Sequence, residues 1–544
     1  MLPLPSRPDI DHLKKQAKEL FAAYRRGAPE AIDRFRKSLP AATHRNDDAI
    51  SQLHLRLHDA QSCVAREYGF TSWTDLKTFV EMLRLQSSHP TALTAALARL
   101  IYAGDITGGM NRARPSAAAR LLASNPSLSA HSPWIACAVG DIATVQRQIE
   151  SDASWVNRPG GTLDLPPLVA ATHSSLLRDA NYRDKIHRTV DLLLDAGADP
   201  NQSVSSRWPP ASLAAPSAEH RISALYGAAG QNHDPELTRR LLAAGADPND
   251  GESLYHSLEA PACTRLLLEA GAIVTGTNAL YRALDLDDID TFRLLLSHAP
   301  GARELSEERL LLWAIRRRRS PAHIEALLAA GVDPTLKAAD GAGPLTRALR
   351  YGLPDVAEVL RKAGATEEIT DEDLFVAACA NADRDAAQRI KARRPDLPDA
   401  LNDERLRLLP ELAALGCTQA VRVMVELGWP IAVRGGDWNA SALNHAVFRG
   451  DAALARFLLE RGSSWTEEHG FGDNACGTLS WASVNQPMDD GDWASCAEAL
   501  LAHGMPMAQR DHNDPTRILV DGKSRAFSED VTAVLLGEDI EAAR

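Results

Sequence analysis

Histidine, carboxylate and tyrosine side chains are concentrated in two polar loops and beside them. One loop reads Gln231-Asn232-His233-Asp234 and the other Asn249-Asp250-Gly251-Glu252-Ser253. Imidazoles and carboxylates are common zinc ligands and common acids and bases in enzymes. If neighbouring helix pairs stack about 10 Å apart, these groups converge. The candidate residues in this region are Tyr226, His233, Asp234, Asp250, Glu252, Tyr255, His256, Tyr281 and Arg282.

Two interpretations of this cluster stay open. Asn, Asp and Ser side chains also cap helices, and tyrosine hydroxyls also bridge neighbouring elements. No HExxH or similar fixed spacing supports a metal site. The sequence therefore predicts no metal and no cofactor. An enzyme or small-molecule binder that uses residues 226–282 remains the second functional hypothesis.

A second concentration of aromatic side chains lies near the end of the chain, although only 5% of all residues are aromatic. Trp438, Trp481 and Trp493 belong to it, together with Asn444 and His445. Such residues are typical of protein-interface hot spots and of stacking sites for small ligands. Large side chains can equally seal the open end of a repeat array. Both interpretations stay open.

Motifs for nucleophilic or phosphate chemistry are missing from the sequence. There is no GxSxG, no GxxxxGK[ST], and no GxGxxG after a predicted strand. Among the cysteines, Cys476 is the best candidate for a nucleophile, because it shares an aromatic-rich loop with His469. The sequence thus favours a protein without catalytic activity.

The elements that position the polar cluster repeat along the chain. Three units open with Ser223-Ala224-Leu225-Tyr226, Glu252-Ser253-Leu254-Tyr255 and Asn278-Ala279-Leu280-Tyr281, and each continues into a leucine-rich run. One helix pair alone cannot bury its apolar side, so repetition at this spacing predicts stacked helix pairs.

The end of a unit is the most specific motif. Leu192-Leu193-Leu194-Asp195-Ala196-Gly197-Ala198-Asp199-Pro200-Asn201 resembles the ankyrin repeat, and residues 241–249 repeat the same phrase. The resemblance implies an all-α fold, an ankyrin-repeat α-solenoid of helix pairs with short hairpin loops. We expect about twelve partly degenerate units over 90–510, followed by a C-terminal capping segment, 511–544, with a helix near Asp530 to Leu536.

In ankyrin repeats the first helix usually begins with Thr-Pro-Leu-His-x-Ala, and the residue at x faces the concave groove. That form is nowhere intact here, since tyrosine often replaces the His. A column of His, Arg and Trp at x is typical of a groove that binds a partner polypeptide. The residues at x are Gly227, His256, Arg282, Trp313, Arg347, His445 and Trp481.

Three loops exceed the length of the repeat, at 157–167, 202–217 and 466–477. Insertions in solenoids map to loops on one side, which is often the binding side. These loops are therefore further places to look for a ligand.

The first 85 residues have no repeat character and predict a small helical domain, with helices over 10–24, 29–39, 55–68 and 73–83. The segments from His12 to Lys18 and from Arg66 to Trp73 resemble the N-terminal segment of many bacterial ankyrin-repeat proteins. The resemblance assigns no function to this domain. We expect it to dock onto the first repeat.

The bulk properties narrow the class of partner. A net charge of −13 over 544 residues disfavours nucleic acid and anionic membranes. Seven scattered cysteines without CxxC spacing predict reduced thiols in a cytoplasmic protein. No signal peptide or membrane span is evident. The leading hypothesis is a monomeric, non-catalytic interaction scaffold that binds an unidentified protein partner in its groove.

Overall fold

The structure is a computed structural model that describes residues 2, 4–5, 8–53, 55–70, 72–85, 90–338, 340–512, 514 and 517–537. Thr71 of the N-terminal motif and the last residues of the predicted capping segment, 538–544, lie outside the described residues. The chain divides into two compact units, Met1–Ala299 and Pro300–Arg544, called unit 1 and unit 2 below.

Unit 1 begins with the predicted helical region. Gly27 follows its first helix in the left-handed conformation, with φ of 71°. Ser72 begins its last helix, since the Ser72 hydroxyl accepts the backbone N–H of Asp75 at 3.1 Å. A short extra helix, Asp47–Ser51, lies between the second and third predicted helices, and the Asn46 side chain caps it. The helices are Ile10–Arg25, Pro29–Ser38, Asp47–Ser51, Leu57–Glu67 and Trp73–Leu85, with a 3-10 turn at Pro40–Ala42.

This region packs on the first helix pair of the array. The Arg120 guanidinium lies 3.8 Å from the centre of the Phe70 ring, and Arg114 lies 3.5 Å from Asp75. Aromatic stacking and an ion pair therefore join the two parts of unit 1.

The rest of unit 1 consists of helix pairs, as the repeats predict. Leucines of the second helices, such as Leu193, Leu241, Leu267 and Leu295, are fully buried against neighbouring pairs. The pairs are Pro90–Ile101 with Pro115–Ser124, Pro133–Val139 with Ile142–Ser151, Pro167–Thr172 with Ala180–Asp195, Ala224–Tyr226 with Pro235–Ala243, Ser253–Ser257 with Pro261–Glu269, and Ala279–Leu286 with Ile289–Ser297. Shorter turns are Gly104–Thr107, Pro126–His131, Ala153–Asn157, Ser175–Arg178 and the π-helical Gly227–Gln231.

Unit 2 repeats the same architecture. Its pairs are Glu308–Arg316 with Pro321–Ala329, Pro344–Arg350 with Pro354–Lys362, Asp371–Ala380 with Arg384–Arg393, Leu408–Ala414 with Thr418–Glu426, Ala442–Arg449 with Ala452–Glu460, and Ala475–Asn485 with Trp493–Ala502. Arg303–Ser306 and Asp403–Leu406 are short turns. The helix expected near the C-terminus is Glu529–Leu536, and it packs on Trp493–Ala502. The predicted all-α fold of stacked helix pairs is confirmed.

Asparagines join the hairpin loops of successive pairs in unit 1. The amide nitrogen of Asn201 donates to the Gly245 carbonyl at 3.2 Å, and its oxygen accepts the N–H of Asp247 at 2.8 Å. Asn157 and Asn249 make the same pair of bonds to the following repeat. The Asn of the closing phrase therefore bridges neighbouring repeats.

Short antiparallel strands interrupt the helices. Ser203–Ser205 pairs with Arg221–Ser223, and Arg434–Gly435 pairs with Ala440–Ser441. A three-stranded sheet that was not predicted precedes the last helix, with the strand order Gln509–Arg510, Ile518–Val520, Lys523–Arg525. In the described ranges, every helix falls short of the length or the apolar character needed to cross a bilayer.

Candidate functional site

The long insertion of unit 1 folds back and covers a pocket. Its backbone is anchored because the N–H of Arg207 donates to the Asp105 carbonyl at 2.9 Å and the Arg207 guanidinium donates to the Ile106 carbonyl at 2.7 Å. The pocket has a volume of about 680 Å³. Its wall brings together three predicted site residues, Tyr226, Glu252 and His256.

Tyr226 lines this pocket and contacts two histidine rings. Its ring makes an edge contact with His256 at 5.2 Å and lies 5.6 Å from His173. Burial raises the pKa of Tyr226, and the nearby carboxylates of Asp105 and Glu252 raise it further. Among the described residues, no side chain or backbone group hydrogen-bonds the Tyr226 hydroxyl. This hydroxyl is therefore a neutral donor available to a ligand.

Asp105, Trp208 and Gln231 line the pocket but were not among the predicted site residues. Gln231 Nε2 donates to the two Asp105 carboxylate oxygens at 3.1 and 3.3 Å. The insertion at 202–217 was the one sequence feature that pointed to Trp208. No sequence feature pointed to Asp105, which comes from a segment far from Tyr226.

Glu252 and His256 form a pair on the wall of the same pocket. His256 Nε2 lies 3.3 Å from Glu252 Oε2, one helical turn away. Both side chains also line a second, more open pocket of about 510 Å³ beside Tyr255. Glu252 lies in the loop before the first helix of a pair, and His256 lies on that helix.

Asp250 has a structural role beside the pocket. Its carboxylate accepts the Ser253 N–H at 2.8 Å and the Ser253 hydroxyl at 2.6 Å, and it also accepts the Ser223 hydroxyl. These bonds occupy both of its oxygens. Asp250 thus begins the helix Ser253–Ser257 and joins it to the preceding repeat.

Of the two residues in the first polar loop, His233 contacts the predicted cluster and Asp234 does not. His233, at a positive φ of 53°, contacts the carbonyl of His256 at 3.2 Å. Asp234 is buried, caps the next helix through the Leu237 N–H at 2.9 Å, and contacts His187 Nε2 at 2.7 Å. The sequence predicted that both residues converge with the second polar loop, but the chain turns at His233 and directs Asp234 into the core.

Replacing Asp234 with alanine is expected to lower the free energy of unfolding by about 2–4 kcal/mol, since both a helix cap and a buried partner of His187 are lost. Hydrogen exchange of the amides in Pro235–Ala243 measures this effect. Asp195→Ala, at an exposed site, is the matched control. Equal exchange rates in the two variants would contradict a structural role for Asp234.

Arg282, a predicted site residue, is already paired with a carboxylate of the chain. The Arg282 guanidinium donates to Glu259 at 2.7 Å and lies 5.8 Å from the Tyr255 ring. Tyr281 is half-buried on the same helix. These residues line the first-helix surface of unit 1, but they are not on the wall of the 680 Å³ pocket.

In unit 2, Trp313 and Arg347 are also held by neighbours. Arg317 lies 4.3 Å from the Trp313 ring, and the Arg347 guanidinium is 3.0 Å from Asp340 and 3.6 Å from Glu404. Each keeps some exposed surface. The charge of Arg347 is compensated within the chain.

Asn444 and His445 differ from the groove-lining positions expected for them. Asn444 is fully buried, donates to the Glu467 carbonyl at 2.9 Å and accepts from Thr478 at 2.8 Å. His445 is 2% exposed, and burial lowers its pKa to about 4. The Asn444 side chain braces the long loop at 466–477, whereas His445 Nε2 contacts the Gly435 carbonyl at 3.2 Å. Repeat spacing could not reveal either contact.

An aromatic row of three rings lies on two adjacent first helices of unit 2 and the loop before them. The rings of Phe448 and Trp481 stack at 5.4 Å with an angle of 11°, and Trp438 lies 5.7 Å from Phe448. Trp438 is fixed by His445 at 4.7 Å and His469 at 5.0 Å. Trp481 is 47% exposed.

Two types of chemistry find no support in the geometry. Cys476 is buried, and burial raises the pKa of its thiol to about 11, so it is protonated at neutral pH. Throughout the part of the chain that the structure describes, no group of three or more His, Cys, Asp or Glu side chains is arranged to hold a metal ion.

The helix pairs, the left-handed glycines that end them and the asparagine-bridged hairpins define an ankyrin-type α-solenoid fold. No protein-family model and no curated protein sequence matches the chain. Among solved structures, the ankyrin repeat domain of human ASB11 is 20% identical, with 42% of this chain and 98% of that chain covered and a TM-score of 0.21. For the ankyrin repeat domain of Bcl-3 the values are 19%, 48%, 99% and 0.22.

Proposed function

We propose that the chain is a non-catalytic scaffold that binds a partner polypeptide on the first-helix surface of unit 2. The observation that carries this proposal is the aromatic row Trp438–Phe448–Trp481, whose outermost ring is half exposed. Large apolar groups that are exposed in a contiguous patch mark interaction sites.

The exposed surface extends beyond the row itself. Val484 lies three residues after Trp481 on the same helix and is 51% exposed, and Phe471 of the neighbouring loop is 81% exposed. Residues three apart share a helix face. An apolar strip thus continues along the helix Ala475–Asn485, where a partner can bury it.

The row is held rigid before any partner arrives. Phe448 and Trp481 stack on each other, while Trp438 is packed between two histidines. Pre-ordered aromatic rings lose little conformational entropy on binding, which is why tryptophan and tyrosine dominate binding hot spots.

The occupant is a polypeptide segment with an apolar or aromatic anchor. A pocket of about 260 Å³ opens beside Trp438 and Phe448. The Arg316 and Arg317 guanidiniums at its rim contact the Asp437 carboxylate at 3.0 and 2.9 Å. Because these charges are compensated, the pocket favours an apolar side chain over a charged one.

A random peptide library displayed on phage and selected on the immobilised full chain tests this proposal. We expect the selected peptides to share an apolar or aromatic anchor. Trp481→Ala is expected to weaken their binding about 30-fold, the loss of a hot spot worth about 2 kcal/mol. Isothermal titration calorimetry with the synthetic peptides gives the dissociation constants.

Leu374→Ala is the matched control, because Leu374 is 43% exposed in the same unit but lies outside the aromatic row. Its peptide affinity is expected to equal that of the wild type. Failure to enrich any peptide, or peptides whose affinity is insensitive to Trp481→Ala and Phe471→Ala, would overturn the proposal.

A further inference from the structure

The pocket of unit 1 is built from three segments far apart in the sequence. Asp105 belongs to the short turn Gly104–Thr107, Trp208 to the insertion, and Tyr226 with Glu252 to two consecutive repeats. A Cβ atom added to Gly104 would lie 3.1 Å from the Trp208 ring and 2.1 Å from the Gly109 carbonyl oxygen. A residue without a side chain at 104 lets the insertion close over the pocket.

The wall of the pocket combines aromatic and acidic groups. Trp208 is 46% exposed, and two carboxylates, Asp105 and Glu252, face the same space as the Tyr226 ring. The described residues on the wall include no lysine or arginine. The two carboxylates therefore meet no lysine or arginine of the described wall, on which the basic side chains are the histidines His220 and His256.

The carboxylates and the tyrosine act on one another. Both Asp105 and Glu252 raise the pKa of Tyr226, so the two negative charges lie within electrostatic reach of its hydroxyl. The Asp105 carboxylate accepts the backbone N–H of Ile106 at 3.0 Å and the neutral amide of Gln231, and Glu252 lies beside the imidazole of His256. A positively charged guest would give both carboxylates a charged partner.

We propose that this pocket binds an organic cation, an ammonium or guanidinium group held against the Trp208 ring by Asp105 and Glu252, with the Tyr226 hydroxyl beside it. A cation over a tryptophan face is attracted by the ring, and hydrogen bonds to carboxylates are stronger when the donor is charged. The volume of about 680 Å³ is within the range of ligand pockets. An anion would meet two carboxylates, and a purely apolar ligand would strip water from them without compensation.

The cationic group has two possible sources, a small free amine or guanidine and a lysine or arginine side chain of a polypeptide. The proposal is independent of the aromatic row, which lies in unit 2. Its failure would therefore leave the proposed function unaffected.

Calorimetric titration of the full chain with butylammonium and butylguanidinium tests the proposal, with butyrate and butanol as matched uncharged or anionic controls. We expect at least one of the cations to bind and neither control to do so. Asp105→Asn and Glu252→Gln are each expected to weaken the cation about tenfold, as for the loss of one hydrogen bond to a charged group. Trp208→Ala is expected to weaken it as well.

Glu259→Gln is the control variant, because Glu259 is exposed in the same unit and pairs with Arg282 away from the pocket. Capped Gly-Lys-Gly and Gly-Arg-Gly peptides distinguish the sources. Peptide binding as tight as that of the free cation assigns the pocket to a side chain, and binding of the free cation alone assigns it to a small molecule. Equal affinity for butylammonium and butyrate, no binding of either cation, or an unchanged affinity in correctly folded Asp105→Asn and Glu252→Gln proteins would overturn the proposal.

Discussion

Phe375→Ala is expected to destabilise the helices around Asp371–Ala380 by about 3–5 kcal/mol, the range for truncating a buried phenylalanine. The Phe375 side chain is fully buried and stacks on the Trp429 ring at 5.9 Å with an angle of 11°. Removing the ring leaves a cavity against Trp429, which is itself 3% exposed. Because repeat arrays can open locally, hydrogen exchange of Asp371–Ala380 is the appropriate measurement.

Phe471→Ala provides a matched control for this prediction. It is the same substitution in the same unit, but Phe471 is 81% exposed. We expect its effect on exchange to stay within about 0.5 kcal/mol, as for surface substitutions away from special features. Similar exchange in the two variants would show that the packing of Phe375 on Trp429 does not stabilise the helix pair.

Asp373→Ala is expected to cost about 3–5 kcal/mol, because it removes one partner from a buried ionic cluster. Asp373 Oδ1 accepts from Arg350 at 2.7 Å and from Arg405 at 3.0 Å, and the side chains of Asp373 and Arg350 are 3% and 7% exposed. Without the carboxylate, the Arg350 guanidinium keeps its contact with Asp340 at 3.3 Å, and the Arg405 guanidinium loses its ion pair with Asp373. Thermal unfolding and hydrogen exchange of Pro344–Arg350 report the loss, with the exposed Asp399→Ala as the control.

The same cluster makes stability depend on pH. Burial alone would raise the pKa of Asp373, but the hydrogen bonds from Arg405 and Arg350 outweigh it and lower the pKa below its ordinary value. The stabilisation is therefore fully present above the unfolded-state pKa, about 3.9, and is lost as pH falls through the folded-state pKa. Wild type and Asp373→Ala should converge in stability as the pH is lowered. A constant difference between them from pH 7 to pH 2 would contradict this assignment.

The repeated leucines and closing glycines allowed the helix pairs to be predicted from the sequence. Leu241 and Gly245 illustrate why, since the leucine buries at a helical period and the glycine adopts a φ of 98° that other residues avoid. Both requirements are local, so they can be recognised in a short segment of the sequence. The three-stranded sheet at 509–525 had no such repeated pattern and was missed.

The candidate site also contains residues whose place could be predicted from the sequence and residues whose place could not. Tyr226, Glu252 and His256 were predicted because consecutive repeats place them next to each other, and the structure does bring them to one pocket. Asp234 belongs to the same sequence cluster, yet a turn at His233 buries it against His187. Proximity in the sequence predicted which repeats these side chains belong to. It did not predict whether each side chain points to the pocket or to the core.

The sequence by itself determined the repeating unit, because helix periodicity, left-handed glycines and capping residues act over a few neighbouring positions. Only the tertiary structure decided which polar groups face solvent and which face the core. The insertion after Gln202 carries Trp208 to the pocket that Asp105 lines, and the buried Asn444 donates to the loop at 466–477. Both loops are held by hydrogen bonds to distant segments, such as Arg207 to Ile106, whose pairing no local pattern specifies.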